Sequence, residues 1–560
     1  MKGVYHLLAL IIATNLLVCF PYVTFSQVAN AQPDERLVIN TDRDIYIAGE
    51  ELVFSVDILK IDDKTVESKV GYVLLRNSNQ EVIFSIMIRF IEGRAWSSII
   101  LPDTLSSGYF QLITFTNYLR NFSCAAYSSK QIVIANRFDK EIKVFTLGND
   151  SLPKQVRPPL VEVFANKDTF KPLEKGQISI KAVNEPVKVC VSVVPMESFI
   201  GNITYFNNTN IEFKNTFNCY PKETKGIYLS GFLNSKENNK PVPNVIMYLS
   251  TPDSLVNLQF TKTDLNGYFS FHLSYAYLNR KVFVVPDIYS ITEEVDIKID
   301  DKCEVLSPFI PQYVKLSEKQ IEFIKKSQNV ILVQKLFQNS PYTAIDPNGI
   351  DRVTLPRVYS RPQYEYYLSN YQPLNNLREI FREIIPQVRL RGKGEDQNFY
   401  VMNTQESYKF FSSPPMVFLN GMPYAKPLSL LNYSSNEIDF IGVTCVPWYF
   451  GEKPINGIVS IFLNSQINTA DLFNKGYSKN FIQPFAFHVE FDVEQLKNSI
   501  GIPDFRQTLL WKPSISVSSD HNSNIDFTAS HLQGNYIVIV NGIDKYGTLF
   551  QETVNINVKD

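Results

Sequence analysis

The side chains able to do chemistry are few and scattered. His272, His488, His521 and His531 never fall into a metal spacing such as His-Glu-x-x-His or Cys-x-x-Cys. His521 and His531 share one stretch of chain but have no third ligand, so solvated or locally satisfied imidazoles are expected. No Gly-x-Ser-x-Gly elbow and no Gly-x-Gly-x-x-Gly fingerprint occurs. The Asp264-Leu265-Asn266-Gly267 loop offers oxygen ligands, but a calcium loop needs Gly at position 6 and Glu at position 12. A hairpin turn with Gly267 at positive φ is the expectation. The residues therefore point to no enzyme, no metal and no cofactor. Arg378, Arg382, Arg389, Arg391 and Lys393 form a local positive cluster. Glu379 and Glu383 are interleaved with it, which favours a solvated helix face over an acidic partner surface.

Chemistry of contact is better represented. Pro447-Trp448-Tyr449-Phe450-Gly451 places three aromatics in a row between two strand-like runs. Exposed Trp and Tyr are what interfaces use as anchors. Contact with another protein and packing on a neighbouring domain of the same chain both remain open. The Asn420-Gly421 and Asn456-Gly457 pairs read as turns. The candidate interface residues are thus Asn420, Gly421, Trp448, Tyr449, Phe450 and Asn456.

The elements that must position these residues are mostly strands. Hydrophobic residues make up 44% of the chain and aromatics 13%, mainly Tyr and Phe. Long β-branched and aromatic runs cut by turn residues predict a mainly β chain. A net charge of −2 gives no electrostatic case for nucleic acid or an anionic membrane. Residues 1–31 read as a secretory signal: Lys2, an uncharged apolar run Leu7–Phe20, and Ala29-Asn30-Ala31 as a cleavage site, with Ser26 a second. The run is too short for a spanning helix, which needs about 20 residues. Val18 is too large to precede a lipidated Cys19. Removal of the leader leaves Cys124, Cys190, Cys219, Cys303 and Cys445, an odd and widely spaced set that is no disulfide framework. Cys190 and Cys219 are the closest pair, either bridged or two small buried apolar residues.

Several domains fit in the remainder at roughly 100–150 residues each. Residues 35–147 contain Thr41-Asp42-Arg43-Asp44-Ile45-Tyr46-Ile47-Ala48-Gly49-Glu50 and a near-alternating strand from Tyr109. They resemble the macroglobulin-type β-sandwich. Residues 155–222 look like a shorter second sandwich, since Lys167–Gly176 echoes the Asp42–Glu51 stretch. Residues 226–302 carry Pro241…Val245…Leu249 and Thr263-Asp264-x-x-Gly267-x-Phe269-x-Phe271. These resemble the carboxypeptidase regulatory-like, transthyretin-like sandwich, which implies a structural role. Residues 306–360 are a helix and linker. Ser317 and Gln320 form a capping box; Ile321, Ile324, Leu332 and Phe337 give the apolar face, and Ser340–Arg361 is turn-rich. Residues 361–466 start with an Asn376-capped helix ended by Pro386, and residues 480–560 read as a last β-sandwich.

Pro414–Gly421, Ile438–Val446 and Gly451–Asn464, together with the Arg382–Arg389 stretch, resemble the plug of TonB-dependent outer-membrane receptors. The residues after Asn464 are too few for a barrel of strands about 10 residues long. The macroglobulin resemblance raises an internal thioester, but no cysteine has the Cys-Gly-Glu-Gln neighbours it needs. The whole order resembles a group of secreted multidomain proteins of the Bacteroidetes. The expectation is a non-enzymatic cell-envelope protein, secreted across the inner membrane and periplasmic or outer-membrane-associated. It would dock on an outer-membrane channel or translocon through a barrel-less plug-like unit, with no transmembrane segment of its own. An extracellular glycan-binding or adhesion module is the alternative.

Overall fold

The computed structural model describes residues 32–60, 67–139, 159–201, 220–251, 257–277, 280–287, 291, 294–300, 308–311, 316–337, 342–345, 361–393, 397–407, 409–424, 426–450, 453–464, 479–482, 486, 488–491, 503–544 and 549–560. The expected leader, Cys219, Cys303 and most of the 340–361 linker lie outside them. The architecture is mainly β, with several open sheets and no closed barrel among the described residues. No described helix is long and apolar enough to cross a membrane.

The first sandwich packs a three-stranded sheet (Glu35–Thr41, Glu51–Lys60, Arg94–Ile100) on a five-stranded one. The latter orders Ile45–Ile47, Ser128–Ala135, Gly108–Phe115, Val70–Asn77 and Val82–Arg89. Alternation turns Leu37, Ile39, Phe54 and Val56 inward, and Gly49 at φ 91° makes the entry turn. The same apolar core continues into a second sandwich through Leu229, Phe269 and Val282. That sandwich pairs Tyr268–Leu273, Ile227–Ser235 and Val295–Ile299 in one sheet, and Gln259–Lys262, Ile246–Ser250 and Lys281–Pro286 in the other. Polar clamps flank the shared core. The Arg120 guanidinium is bidentate on Asp300 at 2.9 and 2.8 Å and lies 3.9 Å over the Tyr220 ring, while the Tyr72 hydroxyl donates to the Glu223 carboxylate at 2.8 Å.

Two expected sandwiches, 155–222 and 480–560, are one. Val187–Pro195 lies between Leu510–Val517 and Gly534–Ile543, and Lys175–Ala182 lies between Ser523–Thr528 and Val161–Ala165. Each half alone would leave a central strand with unpaired backbone groups on a buried edge, and the distant half supplies the partners. The boundary at residue 480 also shifts. Lys479–Ile482 joins the second sandwich beside Lys281–Val284, and His488–Phe491 pairs with Tyr342–Ile345, a strand inside the stretch read as linker.

The echo between Asp42–Glu51 and Lys167–Gly176 extends to side chains. In each copy a short strand (Ile45–Ile47, Thr169–Phe170) pairs in parallel with a distant strand, and a positive-φ residue then turns the chain. Glu50 accepts the Ile47 N–H at 2.7 Å, and Glu174 accepts the Lys171 N–H at 2.8 Å. Arg43 pairs with Glu50 at 3.0 Å, as Lys167 pairs with Glu174. The difference is burial. The Arg43–Glu50 pair is 6% exposed on both sides, whereas Lys167 is 55% exposed. Arg43 also bonds Gln507, and Asp42 accepts from Tyr46 and Thr508 hydroxyls at 2.5 Å, so this node joins the first sandwich to the composite one.

The helix Glu318–Phe337 opens on the expected box: Ser317 N–H donates to Gln320 Oε1 at 2.9 Å, and Gln320 N–H returns to Ser317 Oγ at 3.3 Å. Ile324 and Ile331, seven residues apart, face Ile45, Ile47 and Val133. Leu332 turns out to be 44% exposed, so Ile331 rather than Leu332 continues the buried face. In the 361–464 unit the helix Leu377–Glu383 is capped by Asn376, whose Oδ1 accepts the Glu379 N–H at 2.9 Å. It buries Leu377, Ile380 and Phe381 against a five-stranded and a three-stranded sheet.

Candidate functional site

The five-stranded sheet orders Tyr364–Tyr367, Ile438–Phe450, Lys453–Leu463, Met416–Leu419 and Met422–Pro423. Its two long strands form a hairpin. Ile441, Val443, Cys445, Val459 and Ile461 face the core of the unit. The register shifts between Thr444 and Pro447, opposite Gly457 at φ 85°. A Cβ on Gly457 would lie 2.9 Å from that of Val401, so the bulge needs glycine for both conformation and space. Beyond the bulge the rungs are Trp448 opposite Ile455, Tyr449 opposite Pro454 and Phe450 opposite Lys453.

The aromatic triplet therefore belongs to a strand rather than to a loop between strands. Aromatic runs favour the pleated conformation, and the partner strand is long enough to accept them. Trp448 is half-buried against the cluster of Tyr248, Phe418, Ile455 and Ile458, which joins this unit to the second sandwich. Tyr449, on the opposite face, is 64% exposed. Trp448 thus follows the intramolecular reading, while Tyr449 is presented outward.

Asn420 and Gly421 make a two-residue turn at φ 48° and 82°, the signs a type I′ hairpin requires. Asn420 N–H donates to the Ile461 carbonyl at 2.9 Å, and its Oδ1 accepts the Leu463 N–H at 2.8 Å. These contacts tie the turn to the end of Lys453–Leu463 remote from the hairpin tip. The structure therefore brings Trp448, Tyr449, Phe450 and Asn456 together, and it places Asn420 and Gly421 elsewhere in a structural role.

Beside the tip lies a cleft of about 300 Å³ between the two units. Tyr248, Pro286 and Asp287 form one wall; Pro414, Pro415, Tyr424, Pro454 and Asn456 form the other. Prolines give stiff apolar walls that lack N–H donors. Asp287 is 5% exposed, and burial together with its carboxylate pushes the Tyr248 hydroxyl pKa upward. The Tyr424 and Ser429 hydroxyls are 2.7 Å apart. The cleft offers two phenol rings, a carboxylate and an amide, and its lining contains no histidine, cysteine or lysine. Sequence reading found Asn456 but missed the cleft, because its walls come from segments far apart in the chain.

The remaining candidates have local explanations. His272 lies against the Tyr228 ring, and His488 stacks on Trp96 at 4.2 Å with Nε2 2.9 Å from the Arg89 carbonyl. His521 Nδ1 is 3.0 Å from Ser518 Oγ, and His531 Nδ1 accepts the Asp504 N–H at 3.0 Å. Among the described residues no three His, Cys, Asp or Glu side chains converge on a metal position. Asp264 Oδ1 accepts the Asn266 and Tyr268 N–H groups at 2.8 and 2.9 Å, with Gly267 at φ 71°, so that loop is a closed turn. Cys190 is buried against Val53 and Trp511, and burial pushes its thiol up to about 12. Burial does the same to Cys445.

No protein-family model matches this sequence, and no curated protein matches it. Among solved structures, the chain is similar to Salmonella alpha-2-macroglobulin reacted with methylamine (8% identity, TM-score 0.24, 95% of this chain and 40% of that one). It is also similar to Escherichia coli alpha-2-macroglobulin activated by porcine elastase (7% identity, TM-score 0.24, 94% and 44%). The Escherichia coli adhesin FdeC is a further similar structure (9% identity, TM-score 0.15, 49% and 65%). This chain spans less than half the length of those macroglobulins, and at these TM-scores no statement about its activity follows from the likeness.

Proposed function

We propose that this protein is a non-enzymatic docking component of a bacterial cell envelope, secreted across the inner membrane. In this reading the 361–464 unit is plug-like and engages an outer-membrane channel or translocon. The tip of the Ile438–Leu463 hairpin makes the contact, and the sandwiches hold it in place. The observation that carries the proposal is Tyr449, a large aromatic 64% exposed on a strand whose neighbouring residue Trp448 is wedged into the body of the molecule. An exposed tyrosine on a paired strand costs less backbone entropy on contact than one on a free loop and suits an interface anchor. Co-purification after gentle detergent extraction of outer membranes tests this. Wild type should bring down a membrane complex and Tyr449→Ala should not; recovery of the wild-type protein alone would sink the proposal.

The cleft favours a second reading, a glycan-binding or adhesion module. Aromatic rings beside a carboxylate and an amide match the apolar faces and hydroxyls of a sugar. Binding on a glycan array that is lost in Asp287→Asn but kept in Tyr449→Ala would select this reading over the first.

A further inference from the structure

The positive cluster noted in the sequence divides in two. On the helix, Arg382 pairs with Glu383 at 2.6 Å, and the Arg378 guanidinium donates to the Gln397 amide oxygen at 3.2 Å. Arg389 and Arg391 stand apart on the strand Val388–Arg391, an outer strand of the three-stranded sheet. Both are exposed, and no described carboxylate bonds either. Their partners are rings instead. Arg389 lies 4.6 Å and Arg391 5.0 Å from the centre of Phe410, and Arg391 also lies 5.6 Å from Tyr400. Register puts Tyr400 opposite Arg389 and Met402 opposite Phe410; Tyr400, Met402 and Phe410 are half-buried and lie on the face away from Leu390 and Phe399.

A guanidinium held over a ring by cation–π attraction keeps its N–H fork, which fits a carboxylate. Arg, Tyr, Phe and Met are also the residue types enriched at the centres of protein interfaces. The charge calls for an acidic partner, and the apolar side chains between the charges call for a peptide rather than a bare anion. We propose that this face docks an acidic segment of another protein. Its carboxylates take the edges of Arg389 and Arg391, and its apolar side chains rest on Tyr400, Met402 and Phe410. The face lies on a different sheet from the Tyr449 hairpin and does not rest on the docking role of that hairpin.

Fluorescence anisotropy with a labelled peptide of alternating glutamate and tyrosine tests the proposal, at low and at physiological salt. The wild-type protein should bind it, more weakly as salt rises. Arg389→Gln/Arg391→Gln should weaken binding by about tenfold or more. Arg389→Lys/Arg391→Lys, which keeps the charge but loses the planar N–H fork, should fall between. Tyr449→Ala should bind as wild type does. The proposal is overturned if the wild type does not bind the peptide, which would leave the arginines as edge-protecting charges. It is equally overturned if the double Gln variant binds undiminished, or if inorganic phosphate or phosphatidylglycerol vesicles bind as tightly as the peptide with the same arginine dependence.

Discussion

The paired entry turns allow one contact to be tested in two environments. Arg43→Met removes the cation from a node where Glu50 and Asp42 are nearly inaccessible. Glu50 would keep only the Ile47 N–H, and Gln507 would lose its guanidinium partner. Breaking a buried pair by removing one member costs about 3–5 kcal/mol, because the remaining charge is left uncompensated. Lys167→Met removes the equivalent contact at the surface, where such pairs are worth about 0–1 kcal/mol. Native-state amide exchange reads both, at Ile47 and at Lys171, without assuming a single unfolding transition for so large a chain. Exchange at Ile47 should rise on the order of 10²–10⁴-fold in Arg43→Met, and exchange at Lys171 by less than about tenfold in Lys167→Met. The two effects also differ with pH. Burial raises the Glu50 pKa and Arg43 opposes that rise, so loss of Arg43 raises it further. A carboxyl whose folded pKa is raised stabilises the fold at low pH and loses that contribution as pH climbs through the folded value. The Arg43→Met defect should therefore shrink as pH falls from 8 toward 5. Similar costs at the two turns, or a defect that grows on acidification, would refute the reasoning.

Three further outcomes follow from the hairpin and the thiols. Gly457→Ala places a Cβ at positive φ against Val401 and should cost about 2 kcal/mol, seen as faster exchange in the hairpin strands. Trp448→Ala should cost about 3 kcal/mol by opening the seam between units, whereas Tyr449→Ala should shift stability by less than about 0.5 kcal/mol, as thermal unfolding would report. Cys190 and Cys445, with thiols raised to about 12 by burial, should resist a thiol reagent at pH 8 in the native protein and react once it is denatured.

Local features were legible in the sequence. The Asn376 cap, the Ser317–Gln320 box and the Asp264–Gly267 turn each involve residues within four positions of one another, so their chemistry is written side by side. The choice of partner strand was not. Alternation in Lys175–Ala182 says which face is buried, but any strand with a matching face satisfies it, and of the two neighbours used one is local and the other begins at Ser523. The burial of Asp42, Arg43 and Glu50 carried no local signal either, since a run of charges normally reads as surface. At the candidate site, the aromatic content of Trp448–Phe450 was visible. Which ring faces solvent depended on a bulge set by Gly457 and Val401, residues from different sheets.

The composite sandwich constrains the order in which the molecule is made. Gln177 and Asp526 bond across its sheet although they are 349 residues apart in the chain. Threading from the N-terminus, Lys175–Ala182 and Val187–Pro195 emerge long before Ser523–Thr528, Leu510–Val517 and Gly534–Ile543 exist to pair with them. They must wait with bare edges while the second sandwich and the hairpin unit are synthesised and fold. Such pairings are slow to form, and the waiting strands are exposed to wrong partners. Closure of this one sheet then reports that everything between residues 195 and 510 has been delivered. Chains cut short within that span would lack the closing strands and stay open to proteolysis.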